Sequence, residues 1–530
     1  MRRYFEENCK LWGLDLAIEE QNSNRDRLFS IYKKTALILS SGISIGDILL
    51  GMKIHRVKIY GYGELGKMLI QNLRDKVEIC AIYDAEAEAR SKESGYMIEP
   101  LNNISNDGIP LIITPGKYFR QISWELIQKG IKRESLIALH TILIYGMEIL
   151  KHGENYSIPD NKEKQFLITG AQFHNNGAQA MLFTAVSEIR NRFPNATVWY
   201  LPIDDKSYYS YQIQQNYKMI FLVDGTDLRS QLYEILPGLT AIIDVSGYAL
   251  SSKWNWKWYM DILRMAYNYQ IPLYLMPQSF GPLDFDQETD NELKKLLCHA
   301  TKIYTREKAG YNLLFKKYHL TNLEMSIDLV LQNKKLNFSG IYAGGQKVKC
   351  NWLSTKNNVG IIPNVRNYEF GNKEAMLHLY WHLINKLLEL GKNVYIVAHS
   401  NDEIACNDIY AMFYFDSNVH LCTDHMNCIE YCEYTKNFQF LIASRFHAIV
   451  HAYKENIPCI IIGWAEKYKE LASLFEQEKN VYDVRENIDV EHFLKSVEDM
   501  NLHYEKEKMK LKKILPDLQD TNCFDFLDNI

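Results

Sequence analysis

The sequence predicts an α/β fold: two doubly wound Rossmann-like lobes preceded by a smaller Rossmann-like α/β domain. Three observations carry this. Short, near-continuous apolar runs recur along the chain and alternate with stretches of helical periodicity, the pattern of parallel strands covered on both faces. The turn Gly61-Tyr-Gly-Glu-Leu-Gly66 stands between one such run and a helix, the context in which this spacing marks a Rossmann unit. A polar stretch at 151–165 and a Lys/Asn/Gly-rich connection around 331–357 divide the chain into three parts.

Taken in order, residues 1–52 read as a helical segment, with Leu28, Ile31, Tyr32, Ala36 and Leu37 as its buried stripe. Residues 53–150 form the first unit, with strands at 57–60, 77–83 and 110–115. Its glycine turn would offer backbone N–H groups to a pyrophosphate, and an acidic residue about twenty positions on would take a ribose hydroxyl. Gly61, Gly63, Gly66 and Asp84 hold these places. Tight strand–helix packing alone explains the same glycines, and the spacing leaves both readings open. Residues 151–165 read as a linker, so a chain beginning near residue 160 is expected to fold by itself. The first lobe, 166–345, has strands at 166–169, 197–201, 241–245, 272–276 and 302–304. The second, 346–530, has strands at 359–362, 394–398, 440–443 and 458–462, and a C-terminal helix.

Composition narrows the function. A net charge of -5 over 530 residues leaves no basic excess for nucleic acid. The N-terminus lacks the apolar core of a signal peptide, and the apolar stretch 38–52 is interrupted by Ser40, Ser41, Gly42, Ser44 and Asp47. Ten cysteines without a secretion signal point to reduced thiols, hence an expected cytoplasmic location. Cys422, His425, Cys428 and Cys432 match no familiar zinc spacing, and His447 and His451 lack an evident third ligand; no metal site is expected.

The polar residues gather where strands end. Asn175, Asn176 and Gly177 follow the first strand of the first lobe. Ser246 and Gly247, Gln278 and Ser279, and Arg306 with Glu307 follow later ones. In the second lobe Asn364, His399, Ser444 and the pair Glu466-Lys467 hold the equivalent places. Singly each suits a cap or a turn, but together they line one edge of both sheets, where α/β proteins bind polar ligands. The run Phe440-Leu-Ile-Ala-Ser-Arg-Phe-His-Ala-Ile-Val-His-Ala-Tyr453 is the sharpest of these. Its apolar spacing changes from strand to helix at Ser444, the expected N-cap, placing Arg445 and His447 in the first turn. A helix N-terminus, a guanidinium and an imidazole make an anion site with a group that carries a proton near neutral pH.

Gly170-Ala-Gln-Phe-His-Asn-Asn-Gly-Ala-Gln-Ala-Met181, Asp244-Val-Ser-Gly-Tyr248, Pro277-Gln-Ser-Phe-Gly-Pro282, Arg306-Glu307, Ser444-Arg-Phe-His-Ala448 and Gly463-Trp-Ala-Glu-Lys-Tyr468 resemble, in the same order, the polysaccharide pyruvyl transferase family. The resemblance covers about 165–480 and implies a GT-B-like arrangement of the lobes. It also implies transfer of pyruvate from phosphoenolpyruvate to a sugar as a ketal, with Arg445 and His447 as the family's catalytic pair. On that reading Arg445 and Arg306 clamp the donor anion and His447 is the general acid; the scheme needs no metal or other cofactor. The acceptor would be a sugar of a polysaccharide or of its lipid-linked or nucleotide-linked precursor, with peripheral association at a membrane-bound precursor. The first domain loosely resembles the Rossmann-like domains of sugar acyltransferases, which makes a nucleotide-sugar its candidate ligand. Two alternatives remain at this point: a glycosyltransferase using a nucleotide-sugar, with Glu466 on the ribose, and a non-catalytic sugar-nucleotide-binding protein.

Overall fold

The computed structural model describes residues 16–202, 217–222, 228–253, 256–343, 353, 355–424, 426–520 and 522–530, with side chains from Arg27 onward. The expected lobe boundary at 345–346 and His425 of the cysteine cluster lie outside the described residues.

Among the described residues the strands form three parallel sheets. The first contains β1 (Arg56–Tyr60), β2 (Glu78–Tyr83), β3 (Ile98–Glu99), β4 (Leu111–Ile113) and β5 (Leu136–Ala138), in spatial order β3-β2-β1-β4-β5. The second contains β6 (Gln165–Thr169), β7 (Thr197–Tyr200), β8 (Ile220–Phe221), β9 (Ala241–Asp244), β10 (Leu273–Gln278), β11 (Lys302–Thr305) and β12 (Leu323–Met325), ordered β12-β11-β10-β9-β6-β7-β8. The third contains β13 (Asn358–Ile362), β14 (Asn393–Val397), β15 (Val419–Cys422), β16 (Leu441–Ala443), β17 (Cys459–Gly463) and β18 (Val481–Asp483), ordered β15-β14-β13-β16-β17-β18. In each sheet the strand order reverses beside the first strand, which opens a crevice at the carboxyl ends of the neighbouring strands. The crevices lie at β1/β4, β6/β9 and β13/β16.

The N-terminal helix Leu16–Ser40 buries Ile31, Thr35 and Ile38, while Leu28, Tyr32, Ala36 and Leu37 face outward. The expected stripe is therefore corrected: the helix turns its β-branched residues, not its leucines, onto Leu139–His152. Nor is this segment separate from the first domain, because Ile38 and Ile48 close on Gly146 of that same helix. Residues 151–165 are also more than a linker. The Leu139–His152 helix runs into them, Ile158 packs on Gly51, and Asn161 donates its N–H to Met52 O at 2.9 Å.

One apolar core joins the first domain to the outer face of the first lobe, from Ile48 and Ile142 through Trp199 and Leu236 to Tyr259. Buried Glu234 of the lobe pairs with Arg27 and, at 2.9 Å, with His140 of the first domain. Those two partners hold its carboxyl below the ordinary range against the opposing pull of burial. The expectation that residues from 160 onward stand alone is accordingly replaced by a shared core.

A second core joins the two lobes around the helix Asn176–Arg192, whose small and apolar residues are buried on nearly every side. Asn176 Nδ2 donates to His399 O at 2.8 Å, and Cys428 N donates to Gln179 Oε1 at 2.7 Å. After the long helix Val490–Leu518 the chain returns to the first lobe, so the second lobe does not run unbroken to the C-terminus. Cys523 N donates to Gln332 Oε1 at 2.7 Å, and Phe526 stacks on Tyr274 with ring centroids 3.6 Å apart. Two doubly wound lobes, clasped by this returning tail, form a GT-B-like arrangement. Among the described residues no single helix is long and apolar enough to cross a membrane.

Candidate active site

The crevices of the two lobes meet around the helix Phe446–Lys454. Strand β16 pairs with β13, and Ser444 continues it by donating its N–H to Ile362 O at 2.8 Å. This extra pairing keeps Ser444 extended and moves the helix start one residue on. Arg445, with φ -99° and ψ 127°, occupies the N-cap position expected for Ser444. The Ser444 carbonyl is held from two sides, by Asn364 Nδ2 and Tyr468 OH, each at 3.0 Å. Asn364 and Ser444 thus shape the turn that aims His447 at the first lobe.

His447 sits against the N-terminus of the helix Asn176–Arg192, which Asn175 caps by accepting from Gly177 N at 3.0 Å and Ala178 N at 3.3 Å. A Cβ on Gly177 would come within 2.2 Å of Cγ and Nδ1 of the imidazole, so only glycine leaves the ring its place. On the other side Nε2 is 3.4 Å from Oδ2 of Asp328, a first-lobe residue that caps Leu329–Gln332. That contact is an ion-pair distance rather than an aligned hydrogen bond, and Nε2 is buried without a hydrogen-bond partner among the described residues. Burial lowers the imidazole below its ordinary value; Asp328 opposes this, while Arg306 and Lys467 add to it. Asp328 stays ionised well below the usual carboxylate range, because His447 and Arg306 outweigh its burial.

The two arginines expected to clamp a donor already have carboxylate partners. Arg445 makes a fork to Asp402 at 2.5 and 2.7 Å, and Asp402 is fully buried. Arg306 reaches Glu307 at 3.0 Å, Asp328 at 3.1 Å and Ser279 Oγ at 3.0 Å, with its guanidinium 4.3 Å from the Phe446 ring centre. Lys467 differs from both. Its Nζ lies 5.3 to 5.8 Å from the ring centres of Trp464, Phe446, Tyr468 and Tyr248, and among the described residues no hydrogen bond or ion pair engages it. Burial, then the charge of Arg306, bring its ammonium down to about 8.

The first-lobe crevice is built on buried Asp244. It accepts from Thr169 Oγ1 at 2.7 Å, Ser246 Oγ at 3.0 Å and Gln278 Nε2 at 3.2 Å, and burial raises its carboxyl to about 6. Gly170, at φ +84°, lets this close approach occur: a Cβ there would lie 2.1 Å from Ser246 Oγ. Ser246 and Gln278 therefore hold Asp244 rather than face the gap.

Of the residues singled out in the sequence, the structure brings together His447, Arg306, Lys467, Gly177, Gly247, Ser279, Asn175 and Asn176. Gly247 is placed by its approach to Arg306 Nη1. His399 lies one layer deeper, its Nδ1 3.1 Å from Ser400 Oγ and its ring 5.8 Å from that of His451. Burial drives His399 well below its ordinary value and His451 to about 3, and His451 Nδ1 contacts Cys432 Sγ at 2.9 Å. Glu466 is exposed at the start of Glu466–Ser473. Gly61, Gly63, Gly66 and Asp84 belong to the separate crevice of the first domain. There Asp84 accepts from Tyr62 N at 2.7 Å, a Cβ on Gly66 would strike Gly61 O at 2.1 Å, and Gly63 faces open space. Asp328 is not evident from the sequence, since a short cap in Ser326-Ile-Asp-Leu329 gives no sign of its cross-lobe partners.

A family profile described as polysaccharide pyruvyl transferase matches residues 175–466, more than half of the chain, and takes in His447, Arg445 and Arg306, while Lys467 and Tyr468 lie just beyond it. The chain belongs to the polysaccharide pyruvyl transferase family. Curated protein sequences give no match. Among solved structures, UDP-GlcNAc 2-epimerase from Neisseria meningitidis aligns at 10% identity and TM-score 0.46, over 69% of this chain and 98% of that one. E. coli ADP-heptose heptosyltransferase II aligns at 11% and 0.37, over 64% and 99%. An Anabaena protein in complex with UDP and glucose aligns at 8% and 0.42, over 69% and 100%.

Proposed function

We propose that this pyruvyl transferase family member moves the pyruvyl group of phosphoenolpyruvate onto two hydroxyls of a sugar, forming a ketal. The observation that carries this reading is the meeting, between the lobes, of a largely buried imidazole and an ammonium that is ringed by aromatic side chains and has no carboxylate partner among the described residues. A compact polyanion supplies the missing counter-charge at Lys467, while the paired Arg306 and Arg445 act as a rigid frame beside it. Its carboxylate or phosphate also meets the unpaired N–H groups at the start of the His447 helix.

His447 then gives its proton to the methylene carbon of the enol phosphate, and the double-bond electron pair forms the new C–H bond. A sugar hydroxyl adds to the adjacent carbon and releases its proton. The C–O bond to phosphate breaks with the electron pair leaving on phosphate, and a second hydroxyl adds and loses its proton. Per ketal, the two protons released by the hydroxyls balance the one taken up at carbon and the one taken up by the departing phosphate. Each step is acid–base chemistry at oxygen or carbon and lies within the reach of a positioned imidazole.

Ligand-induced stabilisation tests the donor class, since only a ligand of the native state raises the melting temperature. Phosphoenolpyruvate is expected to raise it, and to do so less in Lys467→Ala. A rise with UDP- or ADP-sugars and none with phosphoenolpyruvate favours the glycosyltransferase alternative.

A further inference from the structure

We infer that Asp328 is the positioning residue of His447, presented from the opposite lobe, so that the general acid is completed across the interface between the lobes. This rests on the reading of His447 as the acid of the proposed reaction.

The geometry is specific. His447 belongs to the second lobe, yet both surfaces that fix its ring belong to the first: the backbone at Gly177 and the carboxylate of Asp328. Asp328 is itself fixed. Its Oδ1 accepts Val330 N at 3.0 Å, its Oδ2 accepts Arg306 Nη1 at 3.1 Å, and its side chain is 2% exposed. Arg306 in turn lies over Phe446, the residue next to His447. The carboxylate therefore faces Nε2 from a position it cannot easily leave.

The charges around the ring set the direction of the effect. Arg306 and Lys467 face it as cations, His451 and His399 are neutral neighbours, and Asp328 is the anion. Burial and both cations disfavour imidazolium, so Asp328 supplies the attraction that lets the ring hold a proton at all.

The substitution Asp328→Asn isolates the charge, because an asparagine Oδ1 still caps Val330 N. His447 can be followed without turnover by NMR of the full chain labelled at histidine Cε1, assigned with His447→Gln. The His447 midpoint is expected to fall in Asp328→Asn and to recover partly in Asp328→Glu. In catalysis, turnover is expected to drop about 10- to 1,000-fold, no more than loss of the acid itself, and its optimum to move to lower pH. Should Asp328→Asn fail to melt cooperatively, Asp328→Ser keeps a capping oxygen and answers the same question. An unchanged His447 titration, including no titration in either protein, overturns the inference. A shifted titration in a protein that releases no phosphate from phosphoenolpyruvate leaves the pairing standing and removes the proposed reaction instead.

Discussion

Arg445, His447 and Lys467 illustrate how differently three basic residues of one crevice are placed. Arg445 is locked to buried Asp402, so Arg445→Lys gives up a two-pronged contact and leaves that carboxylate half satisfied. The expected outcome is a lower melting temperature together with a higher Michaelis constant for the donor. Lys467 is poised differently. With its ammonium near 8 in the empty site, donor affinity should be level below that pH and weaken above it, as the free enzyme loses the charge. Calorimetric titration with phosphoenolpyruvate at several pH values checks this, and Lys467→Arg should remove the break because arginine stays charged. For His447, a bound dianionic phosphate raises the imidazole that burial lowers in the empty site. Turnover should therefore persist to higher pH than turnover over the Michaelis constant, provided chemistry limits the rate. Coincident profiles would mean that another group supplies the proton.

At the scale of elements, the helix Asn176–Arg192 does two things: it fills the space between the lobes and seats the imidazole through Gly177. Gly177→Ala should cost about 1–3 kcal/mol in stability through overpacking. The same change should lower turnover by displacing the ring. In a His447→Ala background the added methyl finds room, so the stability loss should shrink, a coupling that denaturant titration of the four proteins measures. Equal losses in both backgrounds would mean that the methyl strains something other than His447. This helix also shows what the chain reveals unaided. Its Asn-Asn-Gly entry is visible because caps and turns act locally. Strands such as β9 and β16 are visible because burial on both faces makes them apolar throughout. Edge strands leave weaker marks: β3 and β8 are two residues long, and in β12 Glu324 and Met325 are exposed. Asp328 and the Lys467 cage depend on residues far apart in sequence, which no local pattern reports. Ser444 as N-cap fails for a related reason, since pairing with Ile362 overrides a local capping preference.

Across the whole molecule, a continuous core binds the first domain to the first lobe, and a returning C-terminal tail binds the second lobe to the first. A chain that starts near residue 160 removes Arg27 and His140 from buried Glu234 and strips one side of an apolar interface. Removing the partners of a buried carboxylate costs about 3–5 kcal/mol before any loss of apolar contact. Such a truncation is expected to be insoluble or to melt well below the full chain; a soluble product melting like the full chain would show that the shared core contributes little. The first domain's crevice is remote in sequence from the His447 site. Gly63→Val, which enters open space, should leave phosphoenolpyruvate binding intact and weaken only a ligand held by that domain. The proposed reaction is tested by phosphate release from phosphoenolpyruvate by the full chain across galactosyl, mannosyl and N-acetylhexosaminyl acceptors, with mass spectrometry of the products. The expected result is acceptor-dependent release, a pyruvylated sugar that has lost two hydroxyl protons, and turnover reduced about 100- to 10,000-fold in His447→Ala while donor binding survives. Near-normal turnover in His447→Ala, or sugar transfer from a nucleotide-sugar with no phosphate released from phosphoenolpyruvate, would contradict it.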